Sequence, residues 1–334
     1  MCGDASYRAV VCDALGPIEG LSLKRLSPTP LAPNGVRIAV KAAGLNFPDI
    51  LMIRGAYQHR PALPFVPGLE AAGVVTEVAD GVATPAVGDK VIVALGTGGY
   101  AEEAVAASDQ VMPMPPGFSF AQAATFRVGH LTAYHALKTR ADLKAQQTLL
   151  VLGAAGGVGL AAVEIGKLLG ARVIAAAAGD AKLRAAREAG ADALIDYRCE
   201  PVENAVKRIT DAAGADVVLD PTGLKETAAL RALAWNGKLL VVGFAAGTIP
   251  AYAANRILLK GASVLGVRAG EAGRKDPGLR RQELEALGAL AGAGLIRPRL
   301  SASFPLEGFA EAMRLLAERR AIGRVALLTE PSLA

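Results

Sequence analysis

The sequence predicts an α/β protein of two domains, one rich in short β-strands and one built around a parallel sheet. A chain of 334 residues exceeds the roughly 100–200 residues of a typical domain. Short β-type runs separated by Gly, Pro and Asp fill residues 1–126, which is typical of a small antiparallel barrel or sandwich. After residue 126, apolar runs alternate with amphipathic helices, which indicates βαβ units.

The strand candidates of the first segment are YRAVV, GVRIAVKAAG, GVVTEVADGV and DKVIVAL. A helical stretch then leads into strand–helix pairs, of which the first three are TLLVLGA with GLAAVEIGKLLG, RVIAAAA with DAKLRAAREAG, and ALIDY with ENAVKRITDAAG. These strands are almost continuously apolar, as expected when helices cover both faces of the sheet. Two more helical segments and a closing strand, GRVALLTE, end the chain.

Composition and charge exclude several classes of protein. Hydrophobic residues make up 52% of the chain and charged residues 20%, which predicts a globular protein with a core. The net charge of +5 is small for this length, and no run of five like charges occurs. Because aromatic residues are also scarce, neither charge nor stacking favours nucleic-acid binding. No secretory signal or membrane-spanning run is indicated.

The three cysteines, Cys2, Cys12 and Cys199, are isolated in the sequence. They form neither a disulfide framework nor the four-ligand spacing of a structural zinc site. A reducing compartment explains such cysteines most simply, so we expect a cytoplasmic protein.

A glycine-rich turn lies between an apolar strand and a helix in LLVLGAAGGVGLAAVEIGKLLGARVIAAA, residues 149–177. It is a variant of the GxGxxG fingerprint, with Ala154 in the first glycine position and Gly156 and Gly159 in the others. In this strand–turn–helix context the motif predicts a dinucleotide whose phosphates lie at the helix N-terminus. The alternative is a glycine-rich turn that binds no ligand.

The following strand favours NADPH over NADH. It ends in alanines and Gly179, without the Asp or Glu that usually binds the ribose 2′-hydroxyl of NAD. Lys182, Tyr197 and Arg198 follow nearby and offer positive charge and a hydroxyl for a 2′-phosphate. The alternative is that Lys182 and Arg198 are solvated surface residues.

Several motifs together resemble a known family. In chain order they are AAGLNFPDILMIRGAY, PFVPGLEAAGVVTEV, VGDKVIV, GGYAEE, LTAYHAL, LGAAGGVGLAAVEIGK, ADALIDY and LLVVGFAAG. The chain resembles, over nearly its whole length, the zinc-independent medium-chain dehydrogenase/reductases, in particular the NADPH:quinone oxidoreductase (zeta-crystallin-like) branch. The resemblance implies a GroES-like β-barrel catalytic domain at 1–126, completed by 270–334. It also implies a Rossmann doubly wound parallel-sheet domain at 127–269 and a substrate cleft between the two.

The same resemblance implies that no metal is bound. Metal-dependent relatives carry a Cys where this chain has Leu45 and Asn46, and a His where it has Leu69. A catalytic zinc needs three protein ligands, which this sequence does not supply.

The resemblance also implies the site residues. It places Asn46 near the nicotinamide ribose and Thr132 under the nicotinamide ring. Lys182 and Tyr197 are expected at the 2′-phosphate end because of their positions after Gly179. The other cofactor contacts implied are Ala155, Gly156, Gly157, Val158, Val242, Gly243, Phe244, Val267 and Arg268. Asn46 and Tyr57 are the candidate catalytic residues. Tyr57 is a candidate because a phenol can donate a hydrogen bond to a developing oxyanion. The alternative for Tyr57 is an aromatic side chain that only shapes substrate access.

Arg268 departs from the aromatic residue that many relatives have near this place. It either meets an anionic substrate or cofactor phosphate, or is a solvated loop residue. The substrate expected is a small electrophile: a quinone, or alternatively an enone or enoyl-type conjugated carbonyl. A further alternative is a non-enzymatic NADPH-binding protein. We also expect a homodimer, paired through the edge strand KGASVLGV as in relatives.

A single carboxylate, Glu70, interrupts the apolar run VPGLEAAGVV. A buried carboxylate needs a partner, and we predict that Arg324 in the closing strand provides it. Such a pair would attach the C-terminal strand to the barrel.

Overall fold

The computed structural model describes residues 6–223 and 226–330. Its strands are β1 Tyr7–Cys12, β2 Leu21–Leu26, β3 Gly35–Gly44, β4 Glu70–Val78, β5 Lys90–Ala94, β6 Glu103–Ala107, β7 Val111–Pro113, β8 Thr148–Leu152, β9 Arg172–Ala177, β10 Ala193–Asp196, β11 Ala215–Asp220, β12 Leu233–Val241, β13 Ser263–Gly266, β14 Leu300–Pro305 and β15 Arg324–Leu328. Its helices are α1 Phe47–Ile53, α2 Phe120–Ala124, α3 Arg127–Tyr134, α4 Gly157–Leu168, α5 Asp180–Glu188, α6 Val202–Ile209, α7 Glu226–Ala232, α8 Ala254–Lys260, α9 Ala269–Lys275, α10 Pro277–Gly292 and α11 Phe309–Ala317.

The described residues form two compact units, one within Met1–Val128 and Arg297–Ala334 and the other within Gly129–Ile296. The expected division grouped residues 270–296 with the first unit, whereas here they belong to the second. Their attachment is both polar and apolar: Glu283 of α10 hydrogen-bonds to His135, and Leu287 of the same helix is fully buried. A helical pattern in the sequence does not reveal which unit buries its apolar face.

The second unit contains a six-stranded parallel sheet in the order β10-β9-β8-β11-β12-β13. Its inner strands are apolar and buried, as the continuous hydrophobic runs predict. The strand order reverses between β8 and β11. In doubly wound sheets, ligands bind at such a reversal, beyond the carboxyl ends of the strands. The predicted α/β class and doubly wound sheet are confirmed.

The first unit is built on a sheet in the order β14-β15-β3-β4-β5-β7, with β6 also paired to β3. Its pairs are antiparallel except β14 with β15. The C-terminal strand β15 pairs with β3 so that Ala326 faces Gly44. Strand β15, from the C-terminal part of the chain, therefore joins the same sheet as β3, from the N-terminal part. A separate hairpin joins β1 and β2.

Candidate active site

The glycine-rich turn lies at the carboxyl end of β8, where the strand order of the parallel sheet reverses. Gly153 has a φ of +58°, a conformation that favours glycine, and a Cβ there would lie 2.6 Å from Cγ2 of Thr222. The N–H of Ala154 donates to the carbonyl of Ala176 at 3.0 Å and ties the turn to β9. Helix α4 starts directly afterwards at Gly157.

Gly156 and Gly159 serve different purposes in this turn. A Cβ on Gly159 would lie 2.4 Å from the carbonyl oxygen of Gly153, so only glycine lets α4 pack against the turn. A Cβ on Gly156 would meet nothing closer than 3.5 Å, and this residue is exposed. Gly156 therefore presents bare backbone next to the N-terminus of α4, where helix N–H groups favour an anion. The predicted cofactor contacts Gly157 and Val158 form the first turn of this helix, and Ala155 is buried just before it.

A carboxylate lies at the end of β9, although β9 itself contributes none. Asp196 ends the neighbouring strand β10, and its Oδ2 accepts from the N–H of Gly179 at 3.1 Å and from Nη2 of Arg198 at 2.6 Å. The hydrogen bond from Arg198 lowers the pKa of Asp196 to about 2. Sequence reasoning examined only the end of β9 and missed this acid. The signal that could have found it is the Asp in ALIDY.

The guanidinium of Arg198 lies over the turn that joins β9 to α5. Its three terminal atoms come within 3.1 Å of the place where a Cβ of Gly179 would be. Lys182 is half-buried in the first turn of α5. The N–H of Tyr197 faces the carbonyl of Ala177 at 3.4 Å, which brings Tyr197 to the end of β9. The fold thus gathers these residues at one corner of the sheet.

The ends of β11, β12 and β13 lie along the same edge. Asp220 accepts hydrogen bonds from the N–H groups of Thr222 and Gly223 at 2.8 and 2.9 Å and shapes the turn after β11. The backbone N–H of Val242 donates to the carbonyl of Asp220 at 2.9 Å. Gly243 and Phe244 follow it and are half-buried. The fold brings these predicted cofactor residues to the edge at which doubly wound sheets commonly bind ligands.

Val267 and Arg268 follow β13 at this edge. The N–H of Val267 donates to the carbonyl of Val241 at 2.9 Å, and its side chain is buried. The side chain of Arg268 is 60% exposed and lies 3.7 Å from Glu271. These contacts place the side chain of Arg268 at the surface. Thr132, the residue predicted under the nicotinamide ring, is half-buried on α3.

In the first unit, Asn46 belongs to a buried polar cluster with Glu70 and Arg324. Arg324 donates to Oε1 of Glu70 and, at 2.8 Å, to Oδ1 of Asn46. Nδ2 of Asn46 donates to the same Glu70 oxygen at 3.1 Å, and the other Glu70 oxygen accepts from the N–H of Val128 at 2.8 Å. The side chain of Glu70 is fully buried. The predicted pairing of Glu70 with Arg324 is confirmed.

Asp49 forms a second buried group beside this cluster. Its Oδ2 accepts from the hydroxyl of Tyr100 at 2.8 Å and from the N–H of Asn46 at 2.9 Å. Within the described ranges, its Oδ1 has no hydrogen-bond partner. Burial raises the pKa of Asp49 to about 7, and burial likewise raises the pKa of Tyr100 well above its usual value. The sequence reasoning did not single out either residue.

Tyr57 is half-buried and packs against the hydrophobic core of the first unit. This packing agrees with the alternative that Tyr57 is an aromatic side chain that shapes substrate access. A role for Tyr57 as a proton donor stays a prediction.

Residues 6–223 and 226–330 contain neither a metal-binding cluster nor a membrane-spanning helix. No group of three or more His, Cys, Asp or Glu side chains in these ranges is arranged to hold a metal ion. No helix in them is long and apolar enough to cross a bilayer. The cytoplasmic location stays a prediction.

Two family models match the chain. Residues 32–116 match the alcohol dehydrogenase GroES-like domain, and residues 157–287 match a model described as zinc-binding dehydrogenase. The quinone oxidoreductase-like protein 2 homolog of Nematostella vectensis is 40% identical over 98% of this chain and 90% of its own length. The chain belongs to the medium-chain dehydrogenase/reductase family. The GroES-like and Rossmann classes predicted from the motifs are thereby confirmed.

Solved structures of the family have the same fold. A probable oxidoreductase from Mycobacterium abscessus is 37% identical, covers 98% of this chain and all of its own, and superposes with a TM-score of 0.88. The quinone oxidoreductase of Escherichia coli, solved with NADPH, is 29% identical and covers 96% of this chain and 99% of its own, also with a TM-score of 0.88. We conclude that this medium-chain family member is an oxidoreductase.

Proposed function

We propose that this protein transfers hydride from NADPH to a quinone without a metal. The observation that carries the proposal is the glycine turn at the strand reversal, where Gly159 allows close packing and Gly156 leaves bare backbone at the N-terminus of α4. The residues present therefore fit a dinucleotide pyrophosphate. When bound, the cofactor supplies the hydride, and the protein supplies position and polarity.

The corner beside Gly179 supports NADPH as the cofactor. The guanidinium of Arg198 covers this glycine, and Lys182 and Tyr197 both follow the glycine in sequence. A 2′-phosphate is recognised by such groups, and guanidinium suits it best. Asp196 opposes this preference because its carboxylate, charged at ordinary pH, already binds Arg198. The affinity for NADPH then depends on how far Arg198 exchanges its hydrogen bonds to this carboxylate for hydrogen bonds to the phosphate.

For the nicotinamide end, we propose contacts from Asn46, Thr132 and the segment Val242–Phe244. Their task is to hold the ring in place while a conjugated acceptor takes the hydride. A quinone is the proposed acceptor, in line with the names of the relatives. An enone or enoyl-type carbonyl is the second candidate, because hydride attack on a conjugated carbonyl is the same step. A binding protein without turnover is the third.

Loss of absorbance at 340 nm tests these candidates directly. We expect oxidation of NADPH with 9,10-phenanthrenequinone, and slower oxidation with a panel of enones. Tight binding of NADPH without turnover on any acceptor would reject the enzyme and favour the binding protein. Faster turnover with enones than with the quinone would favour the second candidate.

The choice of cofactor is tested with Arg198→Met. We expect its Kd for NADPH to rise about tenfold while its Kd for NADH is unchanged, because only NADPH carries the 2′-phosphate. Arg208→Met is the matched control, since Arg208 is a similarly exposed arginine paired with Glu200 in the same unit. An equal change for both cofactors, or for both variants, would count against NADPH specificity.

We also propose that the protein forms a homodimer through the edge strand β13. This strand pairs only with β12 among the described strands. Large apolar side chains are exposed in the same unit, namely Trp235, Ile249, Leu258 and Leu259, each more than 70% exposed. Exposed edges and apolar patches of this kind are commonly covered by a partner.

A further inference from the structure

We propose that Glu70 and Arg324 are positioning residues that orient the amide of Asn46, so that it meets the cofactor only as a hydrogen-bond acceptor. This inference rests on the proposed function, in which Asn46 contacts the nicotinamide ribose. It goes beyond the predicted attachment of the last strand, because the same two side chains also bind both ends of the Asn46 amide.

The chemistry of the partners determines the orientation of this amide. A guanidinium can only donate, so Arg324 must face Oδ1 of Asn46, at 2.8 Å. An ionised carboxylate can only accept, so Glu70 must face Nδ2, at 3.1 Å. Rotating the amide by half a turn would bring donor against donor and acceptor against acceptor. All three side chains are buried, so water does not readily replace either bond.

The hydrogen bonds that the Asn46 amide can still make follow from the number of its donors and acceptors. Nδ2 has two hydrogens, and the carbonyl of Gly44 at 3.3 Å takes the one that Glu70 does not. Oδ1 has two lone pairs, and Arg324 uses one. The side chain of Asn46 also faces the backbone N–H of Asp49 in the capping box at the start of α1. Asn46 has no hydrogen left to donate, so Oδ1 is the only atom of its amide that can meet a hydroxyl, such as one on the nicotinamide ribose.

Glu70 also fixes the backbone next to this site. Its second oxygen accepts from the N–H of Val128, in the first turn of α3, at 2.8 Å. Thr132, the other residue proposed at the nicotinamide, lies one turn further along this helix. A change at Glu70 should therefore act on the transfer step and not only on stability, because small displacements of positioning groups are costly.

A double-mutant cycle between Asn46→Ala and Glu70→Gln tests the inference. The measured quantities are the single-turnover rate of NADPH oxidation by 9,10-phenanthrenequinone and the Kd for NADPH. We expect each single variant to slow hydride transfer by about 10- to 100-fold. Glu70→Gln keeps one oxygen that can accept from the N–H of Val128, so its effect on the rate should pass through Asn46. We therefore expect the double variant to be no slower than the slower single variant.

Two further variants complete the experiment. Arg324→Lys keeps one cationic donor, and we expect it to retain more of the rate than Arg324→Met. If Glu70→Gln does not fold, the cycle is run with Arg324→Lys and Asn46→Ala, and the same absence of additivity is expected. Glu103→Gln is the matched control, because Glu103 pairs with Arg37 in the same unit and does not contact Asn46. It should leave the rate unchanged.

The outcomes separate this inference from the proposed function. The positioning role would be overturned if the double variant lost rate by the product of the two single losses, or if folded Glu70→Gln kept the wild-type rate. Either result would leave the proposed function intact. A wild-type protein that neither binds nor oxidises NADPH would overturn the proposed function, and this inference with it.

Discussion

Arg324, the first residue of the last strand, donates a hydrogen bond to the fully buried carboxylate of Glu70, the first residue of β4. The two residues are 254 positions apart in sequence. Their side chains join two strands that are not neighbours in the sheet, since β3 lies between them. This pair explains the single charge in an otherwise apolar run.

We predict that this pair stabilises the fold cooperatively. Removing one partner leaves a buried charge uncompensated, so Glu70→Gln and Arg324→Met should each lower the free energy of unfolding by about 3–5 kcal/mol. The double variant should lose less than the sum of the two, as measured by urea denaturation. Glu77→Gln is the control. Its ion pair with Arg37 is exposed on the Glu77 side, and about 0–1 kcal/mol is expected. Strictly additive losses would disprove the coupling.

Asp49 should make stability depend on pH. Its pKa rises from 3.8 to about 7 in the folded state because the carboxyl is buried. The folded protein then binds more protons than the unfolded chain between these values, so stability falls as pH rises from 4 to 7. The loss should reach about 4 kcal/mol relative to Asp49→Asn, whose neutral side chain does not titrate.

Unfolding of both proteins by urea at a series of pH values measures this difference. The comparison with Asp49→Asn cancels the other titrating groups. Tyr100→Phe offers a second check, because the hydrogen bond from Tyr100 lowers the pKa of Asp49. Its loss should extend the fall in stability to higher pH. If the difference in the free energy of unfolding between wild type and Asp49→Asn did not change with pH, the predicted titration would be contradicted.

Two alanine substitutions should separate binding from folding at the glycine turn. Gly156→Ala places its methyl group 3.5 Å from the carbonyl oxygen of Gly153, an ordinary van der Waals contact, so stability should hardly change while the Kd for NADPH rises by about tenfold. Gly159→Ala places a methyl group 2.4 Å from a backbone oxygen and should cost about 1–3 kcal/mol of stability.

Gly288→Ala is the control for both variants, because nothing lies within 4 Å of its added methyl group. In the interior of α10 it should be neutral or stabilise by about 1 kcal/mol. Thermal unfolding and fluorescence titration with NADPH measure the two effects. Unchanged NADPH affinity in Gly156→Ala would argue against a pyrophosphate at this turn.

The proposed dimer can be disrupted at Leu259. Its side chain is 73% exposed on α8, so Leu259→Glu should leave the fold intact and convert a dimer to a monomer in light scattering. Leu295→Glu is the control, at a residue 53% exposed after α10. A wild-type protein that is monomeric at micromolar concentration would exclude the dimer.

Much of the architecture could be predicted from local patterns. A strand, a glycine turn and a helix in direct succession indicated the dinucleotide turn, and continuous apolar strands indicated a covered parallel sheet. The need of a buried carboxylate for a cation predicted the pairing of Glu70 with Arg324. These features depend on residue type and spacing, which the sequence states directly.

Only the tertiary structure decided which distant side chains meet. Asp196 reaches Gly179 because β10 pairs beside β9, with Asp196 opposite Ala177. Tyr100 meets Asp49 across 51 residues, and α10 packs into the second unit through Glu283 and its neighbours. The orientation of the Asn46 amide likewise depends on two partners brought in by β4 and β15. Such contacts depend on strand register and on which face is buried, and local periodicity specifies neither of these between distant segments.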